Sequence, residues 1–98
     1  MDRQAIIARL RENEAPLRAR GVAHAALFGS HARGDNDPDS DIDILIDIAP
    51  DAPVGLWGFV AITQYLEDLF PSRVDVADHS HLKPHLRPSA EREAVRAF

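Results

Sequence analysis

The sequence predicts an α/β (α+β) fold in which a small mixed β-sheet of about three strands packs against helices. The first observation is the alternation of isoleucines from Asp41 to Ile48, which is typical of a half-buried strand. The second is the helical period of apolar residues from Val54 to Phe70. The third is a short segment with alternating valines, Arg73 to Ala77, that follows this helix. Together these segments predict a sheet covered by helices.

Length and composition indicate one domain spanning residues 1–98. Hydrophobic residues make up 45% of the chain, which is ordinary for a globular protein. Cysteine is absent, which excludes a disulfide framework and thiolate metal sites. No apolar run approaches the length of about 18 residues that a membrane helix needs, and no signal-peptide segment stands at the start. We therefore expect a cytoplasmic protein without a membrane segment.

The charge distribution bears on the ligand. The net charge is −5 and the chain has a single lysine, Lys83. Direct nucleic-acid binding needs clustered basic residues, so this balance argues against it. A nucleoside triphosphate bound together with a metal fits the acidic centre of the chain better than a polynucleotide does.

The first predicted element is a helix that Asp2 caps and that runs from Arg3 toward Arg20. Pro16 would remove one backbone hydrogen bond, so we expect the helix to bend or split near it. Gly21 suits the position just after the helix end. An apolar stripe on the helix would cover one face of the sheet.

The first predicted strand spans residues 22–28 and runs into a Gly29-Ser30 turn. Gly29 would let the backbone come close to a phosphate, and Ser30 would offer its hydroxyl and N–H groups. One helical turn then closes at Gly34, where Arg33 would add a charge-assisted contact. A turn-rich loop returns the chain to the acidic strand.

The acidic strand, Asp41 to Ile48, puts four isoleucines on its core face and Asp41 and Asp43 on the other. Asp is disfavoured inside strands, so these carboxylates require an explanation. Residues two apart on a strand are roughly 6.6 Å apart at Cα, which allows two carboxylates to lean together and share divalent cations. A two-metal phosphoryl-transfer site needs ions about 3.5–4 Å apart, bridged by such acids.

The predicted strand from Arg73 to Ala77 supplies a third acid, Asp75. Its valines would join the isoleucines, which leaves Asp75 on the face of Asp41 and Asp43. Neighbouring strands bring residues within about 5 Å of each other, so the three carboxylates can meet. Without cations they would repel one another, and the arrangement therefore predicts a Mg²⁺ site.

The helix between these strands is expected to have Pro53 in its first turn and a core stripe that includes Leu56 and Phe59. Trp57 lies off the main stripe and has two interpretations. It is either a half-buried aromatic residue or a contact to a partner or a nucleobase.

The last third of the chain contains a polar connector, Asp78 to Pro88, with three histidines. We interpret His79, His81 and His85 as surface residues rather than a metal cluster, because no cysteine or second ligand group accompanies them. Ser89 would cap a last helix that reaches the C-terminal residue and docks on the core or on another protein.

Gly29-Ser30, ten further residues and then Asp41-Ile42-Asp43 form the pattern G-S-x10-D-x-D. This pattern resembles the signature of the DNA polymerase β-like nucleotidyltransferase superfamily. The fuller string GSHARG…SDIDILI is similar to its minimal nucleotidyltransferase (MNT) branch. The family's third acid stands on a later strand, where Arg73-Val74-Asp75-Val76 matches, and Leu82-Lys83-Pro84 also fits the family. The resemblance covers nearly the whole chain.

The resemblance implies a nucleotidyltransferase fold and a Mg²⁺-dependent transfer of AMP from ATP to a protein hydroxyl. The implied metal ligands and catalytic groups are Asp41, Asp43 and Asp75, with Asp75 also able to act as base; the implied nucleotide-binding residues are Gly29, Ser30 and Arg33. The usual setting of the family is a toxin–antitoxin pair. This implies a type VII-like antitoxin that adenylylates a tyrosine of a HEPN-domain ribonuclease toxin.

Two alternative functions stay open at this point. The chain can be an antitoxin that neutralises its partner by binding alone, or a small-molecule nucleotidyltransferase, although such enzymes usually carry an extra domain for the acceptor. His31 departs from the family pattern, which more often has an apolar or aromatic residue there. Its expected place is the mouth of the site, either as a tolerated side chain or as a phosphate contact when protonated.

Overall fold

The computed structural model describes residues 1–98 and is built around a four-stranded sheet. The strands are β1 (Val22–Phe28), β2 (Ile42–Ile48), β3 (Val74–Asp78) and β4 (Val95–Arg96). They lie in the order β3-β2-β1-β4. β1 is antiparallel to β2 and β4, whereas β2 is parallel to β3. The sheet is therefore mixed, as predicted, with one strand more than the sequence indicates.

Five α-helices and one turn of 3₁₀ helix complete the fold. The α-helices are α1 (Arg3–Glu12), α2 (Glu14–Ala19), α3 (Gly29–Arg33), α4 (Leu56–Leu69) and α5 (Arg87–Glu93), and the 3₁₀ turn is His79–His81. α4 connects the parallel strands β2 and β3, as such a crossover requires. No helix is both long and apolar enough to cross a membrane.

The N-terminal segment follows its sequence closely. The side chain of Asp2 accepts a hydrogen bond from the backbone N–H of Ala5 at 2.8 Å and caps α1. The predicted helix splits at Asn13, and Pro16 lies in the first turn of α2, where its missing N–H costs least. Gly21 follows α2 with a φ of +101°, which glycine adopts most easily.

The core lies between one sheet face and the helices α1, α2 and α4. Ile42, Ile44 and Ile46 have at most 1% of their surface exposed, which confirms the predicted face of β2. The other large side chains with less than 2% exposure in this core are Ile6, Leu10, Leu17, Val22, Leu27, Ile62 and Leu66. Burial of this apolar layer is the main source of stability in so small a domain.

The C-terminal segment contradicts the prediction of a helix that begins at Ser89 and reaches Phe98. α5 begins two residues earlier, contains Ser89 and ends at Glu93. The chain then extends along β1, where the N–H groups of Ala97 and Phe98 donate to the carbonyl of Ala25 at 2.8 and 3.2 Å. The open edge of β1 offers these residues more backbone hydrogen bonds than a frayed helix end would.

The beginning of α4 also differs from the prediction. Pro53 precedes the helix, which starts at Leu56 after Gly55. Leu56 is 72% exposed and therefore does not belong to the buried stripe, which begins one turn later. Trp57 is 81% exposed, so its interpretation as a half-buried residue is wrong.

Candidate active site

Asp43 lies near the start of the inner strand β2, on the sheet face opposite the isoleucines. Its neighbour on one side is Phe28, the last residue of β1, and on the other side it is paired in register with Asp75 of β3. Adjacent strands are about 4.8 Å apart, and paired residues point to the same face. The sheet therefore brings the two carboxylates to neighbouring positions, as the alternation predicts.

Asp41 lies one residue before β2 and shares the side of Asp43 by the period of two. Asp41 and Asp75 are exposed, whereas Asp43 is half-buried. The three carboxylates thus form an acidic cluster that is open to solvent at the sheet edge and partly enclosed at Asp43.

Gly29 closes the cluster from the β1 side. Its φ is +74°, and a Cβ built on its backbone would overlap the carboxylate of Asp43. Only glycine therefore allows the turn after β1 to pass this close to the acid. The Gly-Ser turn and the acidic strand, which are distant in sequence, form one site.

The electrostatics of the site follow from this packing. Partial burial raises the pKa of Asp43 above the ordinary value for Asp, and repulsion from Asp75 and then Asp41 adds to the rise. The nearby His31 and Arg33 act in the opposite direction. Asp43 is therefore the carboxylate that would gain most from a nearby cation.

Ser30 is half-buried in the first turn of α3. Its carbonyl accepts hydrogen bonds from the N–H groups of Gly34 and Asp35 at 2.9 and 3.1 Å, and Gly34 ends the helix with a φ of +82°. α3 is thus the single helical turn expected after the strand. It places Ser30 directly beside the glycine that contacts Asp43.

Arg33, a predicted site residue, forms ion pairs with carboxylates outside the acidic cluster. Its guanidinium donates to the carboxylate of Asp35 at 3.0 Å and to that of Glu93, on α5, also at 3.0 Å. The hydrogen bond to Asp35 is the largest contribution to a raised pKa of Arg33. These two contacts use Nε and Nη1, so the Nη2 group keeps its N–H donors for a further acceptor such as a phosphate.

His31 occupies a different place from the one expected. It is 4% exposed, so it lies inside the protein and not at the mouth of the site. Its Nδ1 lies 3.1 Å from the backbone carbonyl of Asp41. The sequence contained one indication of this burial, because the family more often has an apolar residue at that position.

The histidines of the connector lie outside the acidic cluster. Nδ1 of His79 is 3.2 Å from the carboxylate of Asp47, and Nε2 is 2.8 Å from that of Glu91. These contacts tie the 3₁₀ turn and α5 to β2. His81, which is exposed, contacts Asp78 at 3.2 Å.

The chemistry of the acidic cluster fits Mg²⁺, a hard cation that binds carboxylate oxygens. Partial burial first, and then repulsion from Asp75 and Asp41, raises the pKa of Asp43, and a cation bound there would offset both effects. The side chains as they stand do not place three ligands around one point. Asp41 and Asp75 are the two exposed members of the cluster, so their side chains have room to turn toward a shared cation.

A mixed sheet with a Gly-Ser turn beside three clustered carboxylates is the arrangement expected of the nucleotidyltransferase class of proteins. The family described as the nucleotidyltransferase domain matches residues 6–97 of the chain. The chain therefore belongs to the nucleotidyltransferase domain family.

Among individual relatives, the protein adenylyltransferase MntA of Thermococcus cleftensis is 40% identical over 75 residues, which cover 76% of this chain and 74% of the relative. A solved structure described as a candidate minimal nucleotidyltransferase is 32% identical, with a TM-score of 0.80, and the match covers 97% of this chain and 95% of the other. The fold is also similar to that of a solved complex of an MNT antitoxin with the tri-AMPylated HEPN toxin of Shewanella oneidensis. That match has 18% identity and a TM-score of 0.65, and covers 98% of this chain and 71% of the other.

Proposed function

We propose that the chain transfers AMP from ATP to a hydroxyl group of a partner protein, and that Asp41, Asp43 and Asp75 form the catalytic site. The observation that carries this proposal is the register of Asp43 with Asp75, next to a glycine that only just clears the Asp43 carboxylate. A sheet whose acids merely face solvent would have no need for that close turn.

The Gly29-Ser30 turn is the proposed phosphate-binding element. Ser30 contributes its hydroxyl and backbone N–H, and the absent side chain of Gly29 leaves room for a phosphate near Asp43. Arg33 is the proposed additional contact, through the Nη2 group that its ion pairs with Asp35 and Glu93 leave unused.

Asp41, Asp43 and Asp75 are the proposed Mg²⁺ ligands. When bound, Mg²⁺ neutralises phosphate charge and stabilises the attacking and leaving oxygens. Within the protein, Asp43 is the most enclosed of the three acids, because it is half-buried and has a paired strand on each side. Asp41 and Asp75 are free to adapt to the nucleotide and the acceptor.

The proposed reaction is an in-line displacement at the α-phosphorus of ATP. The acceptor oxygen forms a bond to this phosphorus, the bond to the bridging oxygen toward the β-phosphorus breaks, and pyrophosphate leaves. Asp75 takes the proton of the acceptor hydroxyl. Asp75 is exposed on the edge strand β3, so a hydroxyl carried by another protein can approach it from solvent.

The proposed acceptor is a tyrosine of a HEPN-domain toxin, which the chain would silence as an antitoxin in a hetero-oligomer. Two findings support this proposal. The relative from Thermococcus cleftensis is named a protein adenylyltransferase. The structures that share the fold include toxin–antitoxin complexes, one of them with AMP-PNP and one with an AMPylated HEPN toxin.

A second candidate function is neutralisation by binding alone. Leu56 and Trp57 favour it, because two large apolar side chains that are 72% and 81% exposed are unusual on a domain of this size and suit a protein contact. The two functions are compatible, since a transferase must also hold its acceptor protein.

The experiment that tests the first proposal uses ATP labelled at either the α- or the γ-phosphate, with Mg²⁺ and the protein that co-purifies with the chain. We expect label on the partner from α-labelled ATP only, because pyrophosphate leaves with the γ-phosphate. The Asp41→Ala, Asp43→Ala double variant is the control and should give no label. Label from γ-labelled ATP would contradict AMP transfer, and a stable complex without label would favour binding alone.

A further inference from the structure

His31 is the only polar or charged side chain among the fully buried residues of the chain. It lies in α3, directly after Ser30, and its Nδ1 is 3.1 Å from the carbonyl oxygen of Asp41. A carbonyl oxygen can only accept a hydrogen bond, so Nδ1 carries the proton and donates it. The ring therefore joins the Gly-Ser turn to the first of the three acids.

The peptide bond between Asp41 and Ile42 is held from both sides. Its C=O accepts from His31, and its N–H donates to the carbonyl of Arg73 at 2.8 Å. Asp41 lies one residue before β2, so the ladder between β1 and β2, which ends at Asp43, does not reach it. At this position the hydrogen bond from the imidazole replaces the missing hydrogen bond between β1 and β2. It limits rotation of the Asp41 backbone.

The element that carries His31 is itself anchored on both sides. The guanidinium of Arg3, in α1, donates to the carbonyl of Ala32 at 2.9 Å. Arg33 joins the same helical turn to Glu93 of α5. The imidazole thus projects from a helical turn that is held in place. A side chain can position another residue only if its own backbone is fixed in this way.

We infer that His31 is a positioning residue that sets the location of the Asp41 carboxylate through the backbone, and thereby tunes divalent-metal binding at the acidic cluster. The inference rests on the proposed function for its metal site and extends it to a residue whose type the G-S-x10-D-x-D pattern leaves unspecified. His31 touches neither nucleotide nor acceptor in this role. A ring that only fills space would serve equally well as phenylalanine.

Three substitutions distinguish a His31 side chain that positions Asp41 from one that only fills space in the core. His31→Asn places its Nδ2 close to the position of the imidazole Nδ1 and keeps the hydrogen bond. His31→Gln carries the same amide one bond farther out, and His31→Phe keeps the ring volume without a donor. Circular dichroism and thermal unfolding would establish that each variant folds.

The measured quantity is the affinity for Mn²⁺. It is determined by electron paramagnetic resonance in the presence of a non-hydrolysable ATP analogue. Loss of a group that orients a metal ligand typically weakens metal binding by about 10–100-fold. We expect that loss for His31→Phe and His31→Gln, and an affinity close to the wild-type value for His31→Asn. The turnover number for AMP transfer should fall in the same order.

Equal Mn²⁺ affinity in the wild type and all folded variants would overturn the inference, even if AMP transfer is intact. If His31→Phe does not fold, the Mn²⁺ affinities of His31→Asn and His31→Gln are compared, and equal affinities would overturn the inference. A wild-type protein that binds Mn²⁺ but transfers no AMP would contradict the proposed function. The order of Mn²⁺ affinities would then still support or overturn the role of His31.

Discussion

At Gly29 the backbone has a φ of +74°, and a side chain would overlap the Asp43 carboxylate. We expect Gly29→Ala to lower the free energy of unfolding by about 1–2 kcal/mol, the cost of a left-handed conformation with a Cβ. We also expect it to abolish AMP transfer, because Asp43 must move. Urea unfolding and the transfer assay would measure the two effects.

The matched control for this prediction is Gly34→Ala. Gly34 has a φ of +82°, but a Cβ there would meet nothing within 4 Å. It should show a similar loss of stability and keep its transfer activity. Equal activity of the two variants would contradict the claim that the Gly29 turn is fitted to Asp43.

The raised pKa of Asp43 makes stability depend on pH in the absence of divalent cations. Burial, aided by repulsion from Asp75 and Asp41, keeps the proton on folded Asp43 at a pH where the unfolded chain has lost it. The stability that Asp43 contributes is therefore fully present below its unfolded pKa and is lost as the pH rises through the folded pKa.

Asp43→Asn cannot ionise, so we expect it to unfold at a higher temperature than the wild type at pH 7. The difference should shrink as the pH falls and disappear below about pH 4, where the unfolded carboxyl is also protonated. Mg²⁺ should reduce the difference at pH 7 by stabilising the wild type. A difference that is independent of pH would mean that ionisation of Asp43 does not oppose folding.

At the scale of elements, we expect the two faces of β2 to have different roles, one in stability and the other in the proposed catalysis. Ile44 has no exposed surface and points into the core. We expect Ile44→Asp to cost more than about 4 kcal/mol, because it buries an unpaired charge. Since small domains have only about 5–15 kcal/mol of stability, far-ultraviolet circular dichroism should show a largely unfolded chain.

The control on the other face is Asp41→Ala, which should keep the fold and lose AMP transfer. Asp41 is exposed and precedes the strand, so no packing depends on its side chain. A folded Ile44→Asp protein, or an active Asp41→Ala protein, would mean that the faces of β2 are assigned wrongly.

The elements that sequence predicts best are those with a local pattern. The alternation of isoleucines predicts the bounds of β2 to within one residue, and Gly21 predicts the end of α2 equally closely. β4 has only two residues, and its hydrogen bonds to β1 are long-range, so no local pattern indicates it. Leu56 fits the apolar stripe of α4 but lies before the point where the helix reaches the sheet. The periodicity of a sequence shows which residues share a helix face, but not where along the helix that face becomes buried.

The same distinction holds for the site. The spacing of Gly29, Asp41 and Asp43, together with Asp75 on the next strand, predicts a cluster, and the register confirms that these strands are neighbours. The partners of a long side chain are not encoded in spacing. For this reason the ion pairs of Arg33, and the contact of His31 with the carbonyl of Asp41, emerged only from the structure.

At the scale of the whole molecule, a thin core supports an acidic site that is open to solvent along one sheet face. The chain has a radius of gyration of 12.6 Å, and two of its three clustered acids, Asp41 and Asp75, are exposed. In the proposed function, the acceptor protein encloses these acids when it docks.

The most direct test of this account is the intact mass of the partner protein after co-expression with the chain. With the wild type, we expect the partner to carry one or more added AMP groups, located on tyrosine by fragmentation. With the Asp41→Asn, Asp43→Asn variant, which keeps the shape of both side chains, the partner should be unmodified and active as a toxin. An unmodified partner that is silenced equally by the wild type and the variant would contradict catalysis and leave neutralisation by binding.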